Sequence, residues 1–239
     1  MSRIHVLLAL PLAACGEPGA SPDAGASDAR IDAVGDPADA GPCATGRSVT
    51  GALVDLDSTE GQFLGVAGAR FTLQGSPDVT DTTAPNGRFE LCAPADDAYV
   101  FDLDAPAGYL DGYAYIDDYA RMGFFPLELR AFTAARAETF YAEHGLVFDA
   151  TRAHVLVFQN GDRLELTLDR THGTVLASDE PGGGGALTWS AGTAGRYMLF
   201  PNVDASAATA QLDGGIGPAD VVPIAAGKLT IAATYFVFL

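Results

Sequence analysis

From Cys43 onward the chain sets short runs rich in Val, Leu, Phe, Thr and Tyr between clusters of Gly, Pro, Asn and Asp, the pattern of β-strands joined by tight turns. In the first half these runs predict strands over Val49 to Asp55, Ala69 to Gln74, Gly87 to Leu91 and Tyr99 to Leu103. Asn86-Gly87 supplies a turn whose residues tolerate positive φ. Over Thr133 to His144 the alternation gives way to Ala and Glu, with Thr133 placed to cap and Gly145 to stop, which predicts a helix. Beyond it, strands are expected over Ala153 to Phe158, Arg163 to Leu168, Thr174 to Ala177, Ala186 to Trp189, Arg196 to Phe200, Ala208 to Leu212 and Leu229 to Phe238. Short strands at this spacing point to β-sandwiches.

The start of the chain reads differently. An apolar stretch from Ile4 follows Arg3 and ends in Leu12-Ala13-Ala14-Cys15; it is shorter than the about 20 residues a spanning helix needs. Leu, two small residues and Cys resemble the lipobox of bacterial lipoproteins. The resemblance implies a signal peptide over 1–14, diacylation of the Cys15 thiol, and a mature chain beginning there. Gly16, by likeness to lipoproteins without an Asp retention signal, favours the outer membrane. Gly16 to Pro42 is mostly Ala, Asp, Gly, Pro and Ser without an aromatic residue, so residues 15–42 are expected to form a disordered tether reaching roughly 30 Å. Once Cys15 carries lipid, Cys43 and Cys92 remain as a pair in an oxidising compartment, and a disulfide is expected. Such a bridge closes a loop of about 50 residues, worth roughly 4 kcal/mol in the chain-entropy account. Two buried free thiols are the alternative.

Ser48 to Pro94 resembles the carboxypeptidase regulatory-like family, whose modules are transthyretin-like (prealbumin-like) β-sandwiches. Val49, Gly51, Val54 and Asp55 fit its opening strand, Val66-Ala67-Gly68-Ala69 and Leu73 its second, and Thr83 with Asn86-Gly87-Arg88-Phe89 its turn and third strand. Ser58 to Leu64 lengthens the first hairpin beyond the usual pattern. Gly195 to Val203, GRYMLFPNV, resembles the same third-strand motif and suggests a divergent second copy. The fold expected is therefore all-β: two tandem transthyretin-like antiparallel β-sandwiches, over 43–131 and 146–239, joined by a short helix at 132–145 and preceded by the tether.

A formal charge of -18 with Lys228 as the sole lysine and twelve scattered arginines excludes a nucleic-acid partner, which calls for clustered cations. Candidate chemistry is sparse. There is no GxSxG, hence no nucleophile elbow, and the metal-binding catalytic domain of the carboxypeptidases has no counterpart. His144, His154 and His172 lack metal-ligand spacing; His144 suits a helix C-terminus. Asp55, Asp57 and Glu60 are weak calcium candidates, without an EF-hand's central Gly and terminal Glu. Gly182 to Gly185 lacks the Lys and Ser or Thr of a phosphate loop, and Trp189 reads as core. The segment Gly108 to Tyr119, GYLDGYAYIDDY, offers a binding face of Tyr109, Tyr113, Tyr115 and Tyr119, since tyrosine rings beside Asp oxygens suit a sugar or peptide; the alternative is rings packed inward with wet hydroxyls. The expectation is a non-catalytic lipid-anchored envelope protein without cofactor, acting as a binding or structural module. Membrane lipid is one partner and a glycan or protein the other, and the alternative is an envelope enzyme or carbohydrate-binding accessory lipoprotein.

Overall fold

The computed structural model describes Cys43 and residues 46–59, 62–121, 127–160, 163–179, 186–214 and 219–235, all within the unit Ala40–Leu239. The lipobox with Cys15, the 15–42 tether, Glu60 and Gly182 to Gly185 lie outside the described residues. The first half contains β1 (Arg47–Asp55), β2 (Arg70–Leu73), β3 (Thr80–Thr82), β4 (Arg88–Ala93), β5 (Ala98–Asp104), β6 (Gly112–Asp117), α1 (Asp118–Arg121) and β7 (Glu128–Ala131). After α2 (Ala134–Glu143) come β8 (Ala153–Gln159), β9 (Thr167–Leu168), β10 (Leu176–Asp179) and β11 (Thr188–Ala191). β12 (Tyr197–Val203), β13 (Thr209–Asp213), β14 (Asp220–Pro223) and β15 (Leu229–Thr234) complete the order.

Among the described residues the strands form three sheets: β4-β1-β7, β14-β13-β9, and a nine-stranded sheet ordered β11-β10-β12-β8-β15-β6-β5-β2-β3. The fold is an all-β sandwich, as the strand pattern predicts. The two halves do not close on separate sheets, however. β15 lies between β8 and β6, parallel to both, and so joins strands from before and after α2 into one sheet. β7 is likewise parallel to β1, a departure from an antiparallel arrangement.

Alternation sorts the side chains of the long sheet into two cores. Leu156, Phe158, Leu199, Ile231 and Ile116 face one core with Leu53 and Leu129 of the β4-β1-β7 sheet and Phe140 of α2. Val155, Val157, Met198, Phe200 and Ala232 face the other with Leu168, Leu212 and Val222 of the β14-β13-β9 sheet. β8 and β15, covered on both sides, are buried along their whole length and are mostly apolar, as such strands are, with His154, Gln159, Thr230 and Thr234 as buried polar exceptions. Outer strands keep the simple alternation: Phe89, Leu91 and Ala93 of β4 point in while Arg88, Glu90 and Cys92 point out.

The Cys43–Cys92 disulfide is present, with Cα atoms 5.3 Å apart. It ties the segment before β1 to β4. The helix forms where Thr133 predicts it: the Thr133 side chain accepts a hydrogen bond from the Arg136 backbone N–H at 3.0 Å, a standard N-cap, and Gly145 follows with φ 71°. Of Arg163 to Leu168, only Thr167–Leu168 pairs in a sheet, because Leu164 is held instead by the Gln159 side chain.

Candidate functional site

The tyrosines of Gly108 to Tyr119 do not form one exposed face: Tyr113 and Tyr115 lie on the same side of β6, a strand inside the nine-stranded sheet, but Tyr115 is buried there and Tyr109 packs on the opposite core. Tyr115 is buried against the second core and its hydroxyl donates to Asp220 Oδ1 at 2.7 Å. Burial, then the charge of Asp220, pushes that phenol up. Tyr109 packs against the first core and donates to Asp55 Oδ2 at 2.8 Å; burial and that bond push it up to about 12. Tyr113 is half-buried and Tyr119 is 60% exposed, stacked with Tyr235.

Asp55, Asp57, His154 and His172 are engaged within the protein. Asp55 Oδ1 also accepts from the Asp57 backbone N–H at 3.0 Å. Asp57 receives two hydrogen bonds from the Arg136 guanidinium, at 2.7 and 3.0 Å, so a cation already sits where calcium would. His154 is fully buried with Nδ1 2.7 Å from Tyr141 Oη, and His172 Nδ1 lies 2.7 Å from Gly173 O. No group of three or more metal-ligating side chains occurs among the described residues.

A concave site lies elsewhere, between α2, the turn after β1 and the outermost strand β11: a cleft of about 280 Å³ lined by Asp57, Arg136, Phe140, Glu143, His144, Thr188 and Trp189, among others. Trp189 is half-buried and packs against the edge of the first core, standing edge-on to Phe140 with ring centroids 5.5 Å apart. The Arg136 guanidinium lies 5.4 Å over the same Phe140 ring and binds Asp57 on one side and both oxygens of Glu143, at 3.1 Å each, on the other. These bonds raise the Arg136 pKa above its ordinary value. The two carboxylates are about half exposed, at 50% and 55%. His144 ends the helix with its ring 4.6 Å from Phe140, and its Nε2, shielded from water, has no hydrogen-bond partner.

Arg136, Phe140, Glu143 and Trp189 in this role are not apparent from sequence. The signals were that Trp189 is the sole tryptophan and that Arg136, Phe140 and Glu143 fall three or four residues apart, on one helix face.

No protein-family model and no curated protein matches this chain. Among solved structures the Bacillus anthracis TIE protein aligns over 80% of this chain and 33% of its own, at 11% sequence identity and a TM-score of 0.24. The chain thus spans about a third of that protein's length.

Proposed function

We propose that this chain is a non-catalytic cell-envelope lipoprotein, held to the outer membrane through acylated Cys15, whose sandwich acts as a binding module. The anchor reading is supported by Leu12-Ala13-Ala14-Cys15 and agrees with a disulfide between the remaining cysteines, as expected for an exported chain. The likeness of Ser48 to Pro94 to carboxypeptidase regulatory-like modules fits a binding role. The observation that carries the binding role is the cleft of Trp189, in which Arg136 fixes two carboxylates that stay about half exposed and able to accept from a ligand.

Two experiments test this. Metabolic labelling with a fatty acid is expected to mark the wild type and not Cys15→Ser; label persisting in the variant overturns the anchor. The Cys15→Ser chain on glycan, peptidoglycan and envelope-protein arrays is expected to bind at least one ligand reproducibly, and silence on all of them overturns the binding role.

A further inference from the structure

Resting on the binding-module reading, we infer that the Trp189 cleft is a saccharide site that takes one neutral sugar ring of a glycan. Sugar rings have two surfaces: a patch of C–H groups that packs on an aromatic face, and a rim of hydroxyls that needs fixed acceptors and donors. The cleft supplies both. Trp189 is the half-buried aromatic on one wall, and Asp57 with Glu143 are the acceptors on the other.

The acceptors are set in place before any ligand arrives. Arg136 holds Asp57 through two bonds and Glu143 through both oxygens, while each carboxylate stays about half exposed. A carboxylate accepts about four hydrogen bonds, so lone pairs remain for vicinal hydroxyls, and holding the side chains beforehand removes rotamer entropy from the cost of binding. His144 closes the end of the cleft with its ring packed 4.6 Å from Phe140.

Size and charge narrow the class. At about 280 Å³ the cleft falls just below the roughly 300–1,000 Å³ of sites for drug-sized ligands, the scale of one ring rather than a disaccharide. Two carboxylates against one guanidinium leave the rim net negative, in a chain of charge -18. Phosphate, sulfate and uronic acid ligands are therefore disfavoured, and a neutral hexose or N-acetylhexosamine is favoured.

Because Trp189 is the sole tryptophan, its fluorescence reports this cleft directly. Titrating the Cys15→Ser chain with glucose, galactose, N-acetylglucosamine and their trisaccharides is expected to give a saturable emission change with at least one, at a millimolar or lower Kd. Glucuronate is expected to bind about tenfold more weakly or worse. The Asp57→Asn/Glu143→Gln variant, with an unchanged circular dichroism spectrum, is expected to lose about tenfold in affinity. Trp189→Phe, followed by saturation-transfer NMR, is expected to weaken binding without affecting folding. No saturable response to any neutral sugar up to about 20 mM, or a response indifferent to both variants, overturns the site. Array binding that survives in both variants defeats this cleft while leaving the binding-module reading intact; silent arrays defeat both.

Discussion

Tyr141 Oη lies 2.7 Å from His154 Nδ1 in a core where both residues are wholly out of contact with solvent. The Asn202 backbone N–H also points to Nδ1, at 3.4 Å, which makes Nδ1 an acceptor and puts the proton on Nε2, an atom without a hydrogen-bond partner. Phe148 stacks on the ring at 4.6 Å. Burial outweighs the opposing pull of Asp149 and lowers the His154 pKa to about 4.

That relationship sets a pH dependence. The folded value lies below the ordinary value of about 6.5, so the unfolded chain takes up the proton first, and stability is lost as pH falls from about 6.5 toward 4. The loss approaches about 3 kcal/mol. Asp117 and Asp220, raised chiefly by burial, pull the opposite way. The difference between wild type and His154→Gln therefore isolates the imidazole. In urea unfolding, the wild-type advantage is expected to shrink by about 2–3 kcal/mol between pH 7 and 4; a difference independent of pH would show that His154 does not titrate in this way.

The Cys43–Cys92 bridge spans 49 residues. Its loss in a Cys43→Ser/Cys92→Ser variant is expected to cost about 2–4 kcal/mol, or about 5–15 °C in Tm for a domain of this size. Thermal unfolding of the wild type with and without reductant checks it, and identical midpoints would mean that the bridge contributes nothing to stability.

How much of this was legible in the sequence depended on where each residue pattern gets its meaning. Local signals were readable: Thr133 as a cap, Asn86-Gly87 as a turn, and the one-sided alternation of Phe89 and Leu91 follow from short-range sterics and hydrogen bonding. β6 was not, because GYAYID carries tyrosines and small residues that read equally as a wet surface. Only pairing with β5 and β15 gives Tyr115 its burial. The place of β15 between β8 and β6 is likewise a long-range contact that no local period encodes. The cleft was hidden for the same reason, since Asp57 and Arg136 stand 79 positions apart and meet only when α2 docks beside the end of β1.

Gly112 shows how tightly that central pairing is built. A Cβ there would stand 1.7 Å from Leu229 O, backbone that no side-chain rotation relieves. Gly112→Ala is therefore expected to separate β6 from β15 and cost more than about 2 kcal/mol. Gly192, where an added Cβ meets only Ala177 Cβ at 3.6 Å, is the control: Gly192→Ala is expected to stay within about 0.5 kcal/mol. Chemical denaturation of both variants tests the contrast, and equal costs would contradict the close approach of the two strands.

Tyr115 and Asp220 join the nine-stranded sheet to β14 through one hydrogen bond. Burial raises the Asp220 pKa and the Tyr115 donor lowers it in part, so the hydroxyl favours the charged carboxylate that burial disfavours. Tyr115→Phe removes the donor and is expected to cost about 1–3 kcal/mol at pH 7. It is also expected to push the Asp220 pKa further up. Asp220→Asn keeps an acceptor for the hydroxyl and removes the buried charge. Because the folded pKa of Asp220 exceeds its unfolded value, the stabilising share of its titration is present at low pH and lost as pH rises through the folded value. Asp220→Asn is thus expected to gain on the wild type over that rise. The charge of Asp220 also raises Asp117, so carboxyl NMR titration of Asp220→Asn is expected to find the Asp117 pKa shifted down toward its ordinary value. An unmoved Asp117 would show that the two carboxylates are not coupled.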